Sequence, residues 1–376
     1  MTSKTELPSS FPKITEEALD YLRQFLNVEM PARDPFNRYA SPDTIRHFAH
    51  AIGDPNPLFT DEEYGSKTKW KSVIAPLTFL FSCFGRGAVH GLPGVHGMWA
   101  GTGFEMENAI TSGTRIDGTV ALSGLIPKET RFAGRAILQE HTFTFRDQNG
   151  KILARAQEWN MRSERDSAQK RGKYDYLEPA TYTDADIKRI FDAYENEQAR
   201  GSTPRYWEDV VIGEELPSIV KGPLRVTDNI AWKIGWGFRP FAYAHKLAYE
   251  YYKKHPKAFI LNQYGIPDVP ERVHWDNDFA QRVGVPVAYD FGPQRISWMG
   301  QVVTNWMGDD GFFQKLNGQV RRFNLVNDTT WLKGKVINKS VEKGQHLVEI
   351  ELWGNDQRDE VTIRGKAVAA LPSKGK

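Results

Sequence analysis

Residues Gly265–Gly292, GIPDVPERVHWDNDFAQRVGVPVAYDFG, place one histidine in an H-x-D triplet (His274, Asp276), with an aspartate, Asp268, six residues before it. The next pair, Gly292-Pro293, opens an apolar run with helical spacing. Proline is tolerated at a first helical position, and glycine lets a ligand approach the backbone. One short segment therefore delivers an acid–base pair and a helix N-terminus. Upstream, GDPNPLFTD (Gly53–Asp61) repeats the arrangement in degraded form, with Phe59 in the place of the histidine.

Working outward, the order of elements repeats. Ser41 or Asp43 caps a helix carrying Ile45, Phe48, Ala49 and Ile52, which Gly53 ends. Asp54–Pro57 form a turn, Asp61 caps a short helix, and Ile74–Gly85 reads as a buried helix. From Met98 onward the pattern is that of strands, with a hairpin turn at Asp147-Gln148-Asn149-Gly150 between two β-patterned runs. An amphipathic helix over Ile14–Val28 precedes this lobe, and the charged stretch Arg162–Gly201 follows it as a connector. Then the order recurs. Asp228–Trp232 parallels Asp43–His47 at an offset of 185, Arg272–Ala280 parallels Pro57–Gly65 at 215, and Asn324–Thr330 parallels Asn108–Thr114 at 216. The jump between the first two offsets localises an insertion to the aromatic-rich stretch Gly235–Gly265, a candidate wall for an apolar pocket or extra packing between lobes. The spacing thus predicts two lobes, each with helices first and an antiparallel meander after. Residues 1–165 form the first lobe, 166–204 a connector and 205–376 the second.

Bulk composition narrows the function. The chain has 376 residues, 40% of them hydrophobic and 12% aromatic, enough for two cores. Its 49 basic and 47 acidic residues balance to +2 with no basic stripe, so nucleic acid is not an expected partner. MTSKTELPSS lacks an apolar signal region, and the apolar stretch Ser72–Gly85 is too short for a membrane span. The single cysteine, Cys83 in FLFSCFG, reads as a buried structural thiol in a reducing, cytoplasmic setting. His90 and His96 lack companion ligands for zinc, GRGAVHG is misspaced for a dinucleotide loop, and the glycines Gly101 and Gly103 read as strand bending. No cofactor or metal is expected.

A helix-then-meander lobe carrying GDPNPLF-x-D resembles the hot-dog fold of MaoC-like acyl dehydratases and (R)-specific enoyl-CoA hydratases, whose pattern runs G-D-x-N-P-[IL]-H-x-D. Gly53, Asp54, Asn56, Pro57, Leu58 and Asp61 match in the first lobe, where Phe59 replaces the histidine. In the second lobe His274, Asp276 and Ala280 match, while Asp268 stands one residue further from the histidine than in the pattern. The resemblance implies an α+β double hot-dog with a degenerate first half and a working second half.

Hydrating an α,β-unsaturated thioester needs a base toward water, an acid toward Cα and donors for the enolate-like oxygen. The resemblance assigns these to His274, Asp268 and the Gly292 amide. Asp276 is expected as a helix cap, Asp54 as a turn residue or a distant partner of His274, and Arg295 as a ligand for a phosphate or carboxylate. The expected activity is an acyl-CoA hydratase or dehydratase, working as a monomer or a homodimer of fused chains. A non-catalytic acyl-CoA-binding subunit and a hot-dog thioesterase are the alternatives.

Overall fold

Local chemistry sets the helices. Ser41 and Thr44 exchange side-chain and backbone hydrogen bonds as a capping box, Pro42 occupies the first turn, and Gly53, at φ +66°, ends the helix Pro42–Ala51. The corresponding helix Val226–Trp236 ends at Gly237, at φ +74°. The computed structural model describes residues 13–85, 92, 95–129, 135–164, 177–237, 243–256 and 259–375. Among these, six helices have eight residues or more: α1 (Glu16–Arg23), α2 (Pro42–Ala51), α3 (Asp184–Asn196), α4 (Val226–Trp236), α5 (His245–Lys254) and α6 (Gly292–Met307).

Ten strands form one antiparallel sheet: β1 (Met30–Pro31), β2 (His96–Met106), β3 (Asp117–Lys128), β4 (Ala136–Arg146), β5 (Ile152–Ser163), β6 (Glu215–Lys221), β7 (Phe312–Val320), β8 (Thr330–Glu342), β9 (Gln345–Asn355) and β10 (Val361–Leu371). Their spatial order is β1-β3-β4-β5-β2-β7-β10-β9-β8-β6. Read from the centre outward, both halves give the same sequence of strands, so a pseudo-twofold axis passes between β2 and β7. Gly101 on β2 serves that seam. A Cβ there would lie 2.4 Å from the Gly318 carbonyl oxygen on β7, so only glycine lets the two lobes share a continuous ladder. The alternating residues of β4 and β10 turn their apolar faces inward, as a half-buried sheet requires.

The sheet wraps α6, which packs against strands of both lobes. Every residue from Pro293 to Met307 is buried. Gln301 donates to Glu197 at 2.6 Å, tying the segment after α3 to the central helix. This is the double hot-dog arrangement that the resemblance implies, built on the two lobes that the repeat predicts. The first lobe departs from the expected helix over Ile74–Gly85. It has instead 3₁₀ turns over Leu77–Cys83, all buried. Gly85 passes close to Arg33, whose carbonyl oxygen would stand 2.7 Å from a Cβ there.

The repeat is finer than its sequence alignment. In lobe one Ala75 N–H donates to Ile110 O, Ser112 N–H to Val73 O, and Ile74 bridges Thr111. In lobe two Asp290 N–H donates to Asn324 O, Val326 N–H to Ala288 O, and Tyr289 bridges Leu325. These pairs correct the third offset from 216 to 214. The matched helix ends at Gly53 and Gly237 correct the first offset from 185 to 184. The insertion contributes α5 and the strand Ile260–Leu261, which pairs with Pro267–Asp268 just beyond it. Leu247, Tyr249 and Tyr264 of the insertion are exposed.

Candidate active site

A cavity of about 540 Å³ opens at the N-terminus of α6. Its lining includes His274, Glu271, Tyr289, Phe291 and Gly292 from the second lobe, with Met98 and Trp99 from β2 across the seam. Of the aromatic-rich stretch expected to wall a pocket, Trp236 is the described residue that reaches this lining.

His274 ends a 3₁₀ turn over Pro270–His274 that Pro270 initiates. Its ring stacks on Phe291, with centroids 3.7 Å apart and planes at 29°, and meets Tyr289 edge-on at 4.8 Å. Nδ1 donates to the Tyr289 carbonyl oxygen at 2.8 Å. A carbonyl only accepts, so Nδ1 carries the proton and Nε2 keeps its lone pair. Burial pushes the imidazole down to about 3, and the Lys233 ammonium adds like-charge repulsion. The ring is therefore neutral across the physiological range.

In a 3₁₀ turn, side chains three residues apart eclipse one another. Glu271 is three residues before His274, so both stand over the same cavity. Its carboxylate accepts from Lys233 at 3.4 Å, and the Lys233 ammonium lies 4.4 Å from the Trp236 ring centroid and 4.9 Å from that of Phe291. Sequence spacing pointed to Asp268 because it precedes the histidine, and it missed Glu271. The 3₁₀ geometry is the signal that finds the latter.

Asp268 is placed elsewhere. It sits in the two-residue ladder with Ile260, pairs with Arg272 at 3.3 Å and is absent from the cavity lining. Asp276 caps the turn Asn277–Arg282 through the Phe279 N–H at 3.0 Å, as expected, and also faces Arg272. Asp54 turns into the first lobe, where its carboxylate accepts the Asn56 N–H at 3.0 Å and burial raises it to about 6. It does not meet His274.

Gly292 opens α6, and a first-turn amide has no acceptor within its own helix. A Cβ there would lie 3.2 Å from Trp99 and from Val320, so glycine keeps the helix start against the seam. Arg295, expected to bind a substrate anion, has spent its guanidinium inside the protein. It holds Asp290 in a fork at 2.6 and 2.7 Å and donates to the carbonyls of Arg322 and Thr362. That pairing fixes the first turn of α6. Two exposed arginines line the cavity, Arg321 and Arg322, and Arg322 is paired with Glu360 at 2.9 Å.

The pseudo-twofold mate of this site is closed. Phe59, Ala75, Pro76 and Leu77 stand where His274, Asp290, Phe291 and Gly292 do, and the space they leave is about 40 Å³. The turn after α6 seals it: Tyr64 donates to the Asp309 carboxylate at 2.5 Å and Trp70 to the Asp309 carbonyl at 2.8 Å. Cys83 is buried in this half, its thiol pushed up to about 12 by burial. His90 and the side chain of His96 lie outside the described residues. Among the described residues no group of His, Cys, Asp or Glu side chains is arranged to hold a metal ion, and no helix is long and apolar enough to cross a membrane.

A family model described as the FAS1-like dehydratase domain region matches residues 35–156. A UPF0336 protein of Streptomyces avermitilis is 42% identical over 65 residues, 17% of this chain and 41% of that protein. A probable enoyl-CoA hydratase alpha subunit of Thermomonospora curvata is 26% identical over 136 residues, 31% of this chain and 42% of that protein. The chain thus spans about two fifths of the length of these curated relatives. Among solved structures, a MaoC-like dehydratase superposes over 94% of this chain and 100% of its own, with a TM-score of 0.65 and 16% identity. A Mycobacterium tuberculosis protein described as a double hotdog fold covers 88% of this chain and 92% of its own, with a TM-score of 0.53 and 9% identity.

Proposed function

We propose that this chain, a MaoC-like double hot-dog protein, catalyses the reversible addition of water to an α,β-unsaturated acyl-CoA thioester in the second-lobe cavity. The observation that carries the reading is His274. Its Nδ1–H is committed to a backbone carbonyl, and the ring stands in an open cavity beside a glycine-initiated helix.

In hydration, water is held between His274 and the Glu271 carboxylate. Nε2 takes one proton as the hydroxyl oxygen bonds to Cβ, and the π electrons move onto the thioester oxygen. The Gly292 N–H, at the positive end of α6, stabilises that oxyanion. The same proton then passes from the imidazolium to Cα, so water is added whole and His274 returns to its neutral state. Glu271 offsets the transient positive charge on the ring. The carboxylate part first expected of Asp268 thus falls to Glu271, and the anion contact expected of Arg295 falls to Arg321 at the opening. The similarity to a protein named as an enoyl-CoA hydratase subunit supports the thioester as substrate.

The second reading is a binding subunit without catalysis. It is favoured by the absence of the motif aspartate from the open site, where Val269 stands five residues before His274. A panel of enoyl-CoAs, short to bulky, followed by loss of enoyl absorbance, decides between them. Wild type is expected to turn over at least one ester without releasing CoA thiol, and His274→Ala to lose about 10²–10⁴ in kcat with the fold intact. An active His274→Ala overturns the assignment. Thiol release would indicate a thioesterase, and a silent panel with measurable ester binding would leave the binding subunit.

A further inference from the structure

We infer that Asn229, on α4, is a positioning residue that fixes the ring orientation and tautomer of His274. The inference rests on the reading of His274 as the base. Asn229 is 1% exposed and does not line the cavity. Its Nδ2 donates to two carbonyl oxygens, that of His274 at 2.8 Å and that of Tyr289 at 3.2 Å. The Tyr289 oxygen is also the acceptor of the His274 Nδ1–H. A carbonyl has two lone pairs, and Asn229 occupies one of them, leaving the other for the imidazole. The amide therefore closes a ring of bonds linking the histidine side chain, the Tyr289 carbonyl and the histidine's own backbone. With Phe291 stacked on one face, this leaves the ring a single orientation.

Two observations set Asn229 apart from an ordinary buried amide. Its Oδ1 has no hydrogen-bond partner among the described residues. Leaving a buried acceptor unpaired is costly, so packing alone does not call for an amide here. The internal repeat shows a core without one. At the offset of 184 the first-lobe counterpart of Asn229 is Ile45, fully buried, and the counterpart of His274 is Phe59. Where the histidine is missing, the asparagine is missing too. A residue needed only to join α4 to the following loop would have no reason to change with the ring it holds.

The test compares the full-length wild type with Asn229→Leu, which keeps the branching and removes the donor, and with Asn229→Asp, which keeps the shape and removes the N–H groups. Imidazole ¹⁵N resonances of the free protein at neutral pH report the tautomer without any substrate. The wild type is expected to show Nδ1 protonated and Nε2 bare, and both variants a mixture of tautomers. On whichever enoyl-CoA the wild type turns over, kcat should fall roughly tenfold to a hundredfold, as for a misaligned reacting group, with KM within about twofold. Folded variants with wild-type resonances and kcat overturn the inference. So does failure of both variants to fold, which would make Asn229 a folding residue. An active His274→Ala would remove the catalytic reading, while the resonances would still judge whether Asn229 holds the ring.

Discussion

His274 and Glu271 were not equally visible in the sequence. A histidine in a Pro-rich polar loop beside a capping aspartate stands out, whereas the carboxylate that shares its cavity depends on a 3₁₀ turn that spacing rules written for α-helices do not describe. Burial then sets what the histidine does with pH. Its ring is held near 3 in the folded chain against about 6.5 when unfolded, so between those values the unfolded state binds the extra proton. Stability is expected to be full above about pH 6.5 and to fall as the pH drops toward 3, and His274→Phe, which cannot titrate, should flatten this part of a thermal-midpoint profile. By the same cause the acid limb of kcat/KM should lie well below 6.5, which a rate profile from pH 4 to 8 would check. Asp54 acts in the opposite sense. Burial raises its folded value to about 6, so its contribution is present below about 3.8 and lost as the pH rises through 6. Asp54→Asn keeps an oxygen for the Asn56 N–H and should stabilise the chain at pH 8 by about 1–3 kcal/mol, with no gain at pH 3. Glu271→Gln keeps the size but not the charge. Its kcat is expected to fall roughly a hundredfold while the Lys233 contact weakens, measured beside His274→Ala.

At the scale of elements, capping chemistry made the reading direct. Ser41, Asp61, Asp276 and Gly292-Pro293 each begin a helical segment where the sequence places one. Packing, which no local signal records, decided the rest. The first lobe's FLFSC segment is wedged into the core as 3₁₀ turns, and of the insertion's described aromatics Tyr243, Tyr249 and Tyr264 are exposed while Trp236 reaches the cavity. The crossing of α2 and α4 shows how tight this packing is. A Cβ at Gly235 would lie 2.3 Å from that of Ala51 and 2.8 Å from the His47 carbonyl oxygen, so the two helices meet through a missing side chain. Gly235 gave no sign of this in the sequence, since its φ is ordinary and the contact joins residues on different lobes. Gly235→Ala is therefore expected to push the helices apart and cost about 1–3 kcal/mol, read as a lower midpoint in thermal or urea unfolding. Because α4 also carries Asn229 and Lys233, the same displacement should lower kcat. A variant as stable as wild type would show that the crossing has slack the contact distances deny.

The whole molecule is a dimer-like sheet folded from one chain, and its twofold is broken in chemistry while kept in backbone. Three loop contacts repeat at matched places in the two lobes, yet His274, Asp290 and Arg295 in one half answer to Phe59, Ala75 and Leu80 in the other. The polar set and the open cavity occur together, and the apolar set and the filled cavity occur together. This separation was partly legible: Phe59 in the motif announced which half had lost its histidine, but the closing of the space by Asp309 and Trp70 needed the fold. It follows that restoring the motif should not restore a site. Phe59→His would bury an imidazole among Leu58, Ile74 and Leu77, in a space of about 40 Å³ with no room for an acyl thioester. The expected result is a loss of roughly 1–3 kcal/mol of stability, as for an unpaired polar group in a core, with turnover per chain unchanged in the protein that remains folded. Calorimetric titration with an acyl-CoA should give one site per chain in both the wild type and Phe59→His. Two sites in either would mean that the first-lobe cavity opens in solution and that the chain carries two halves of equal standing.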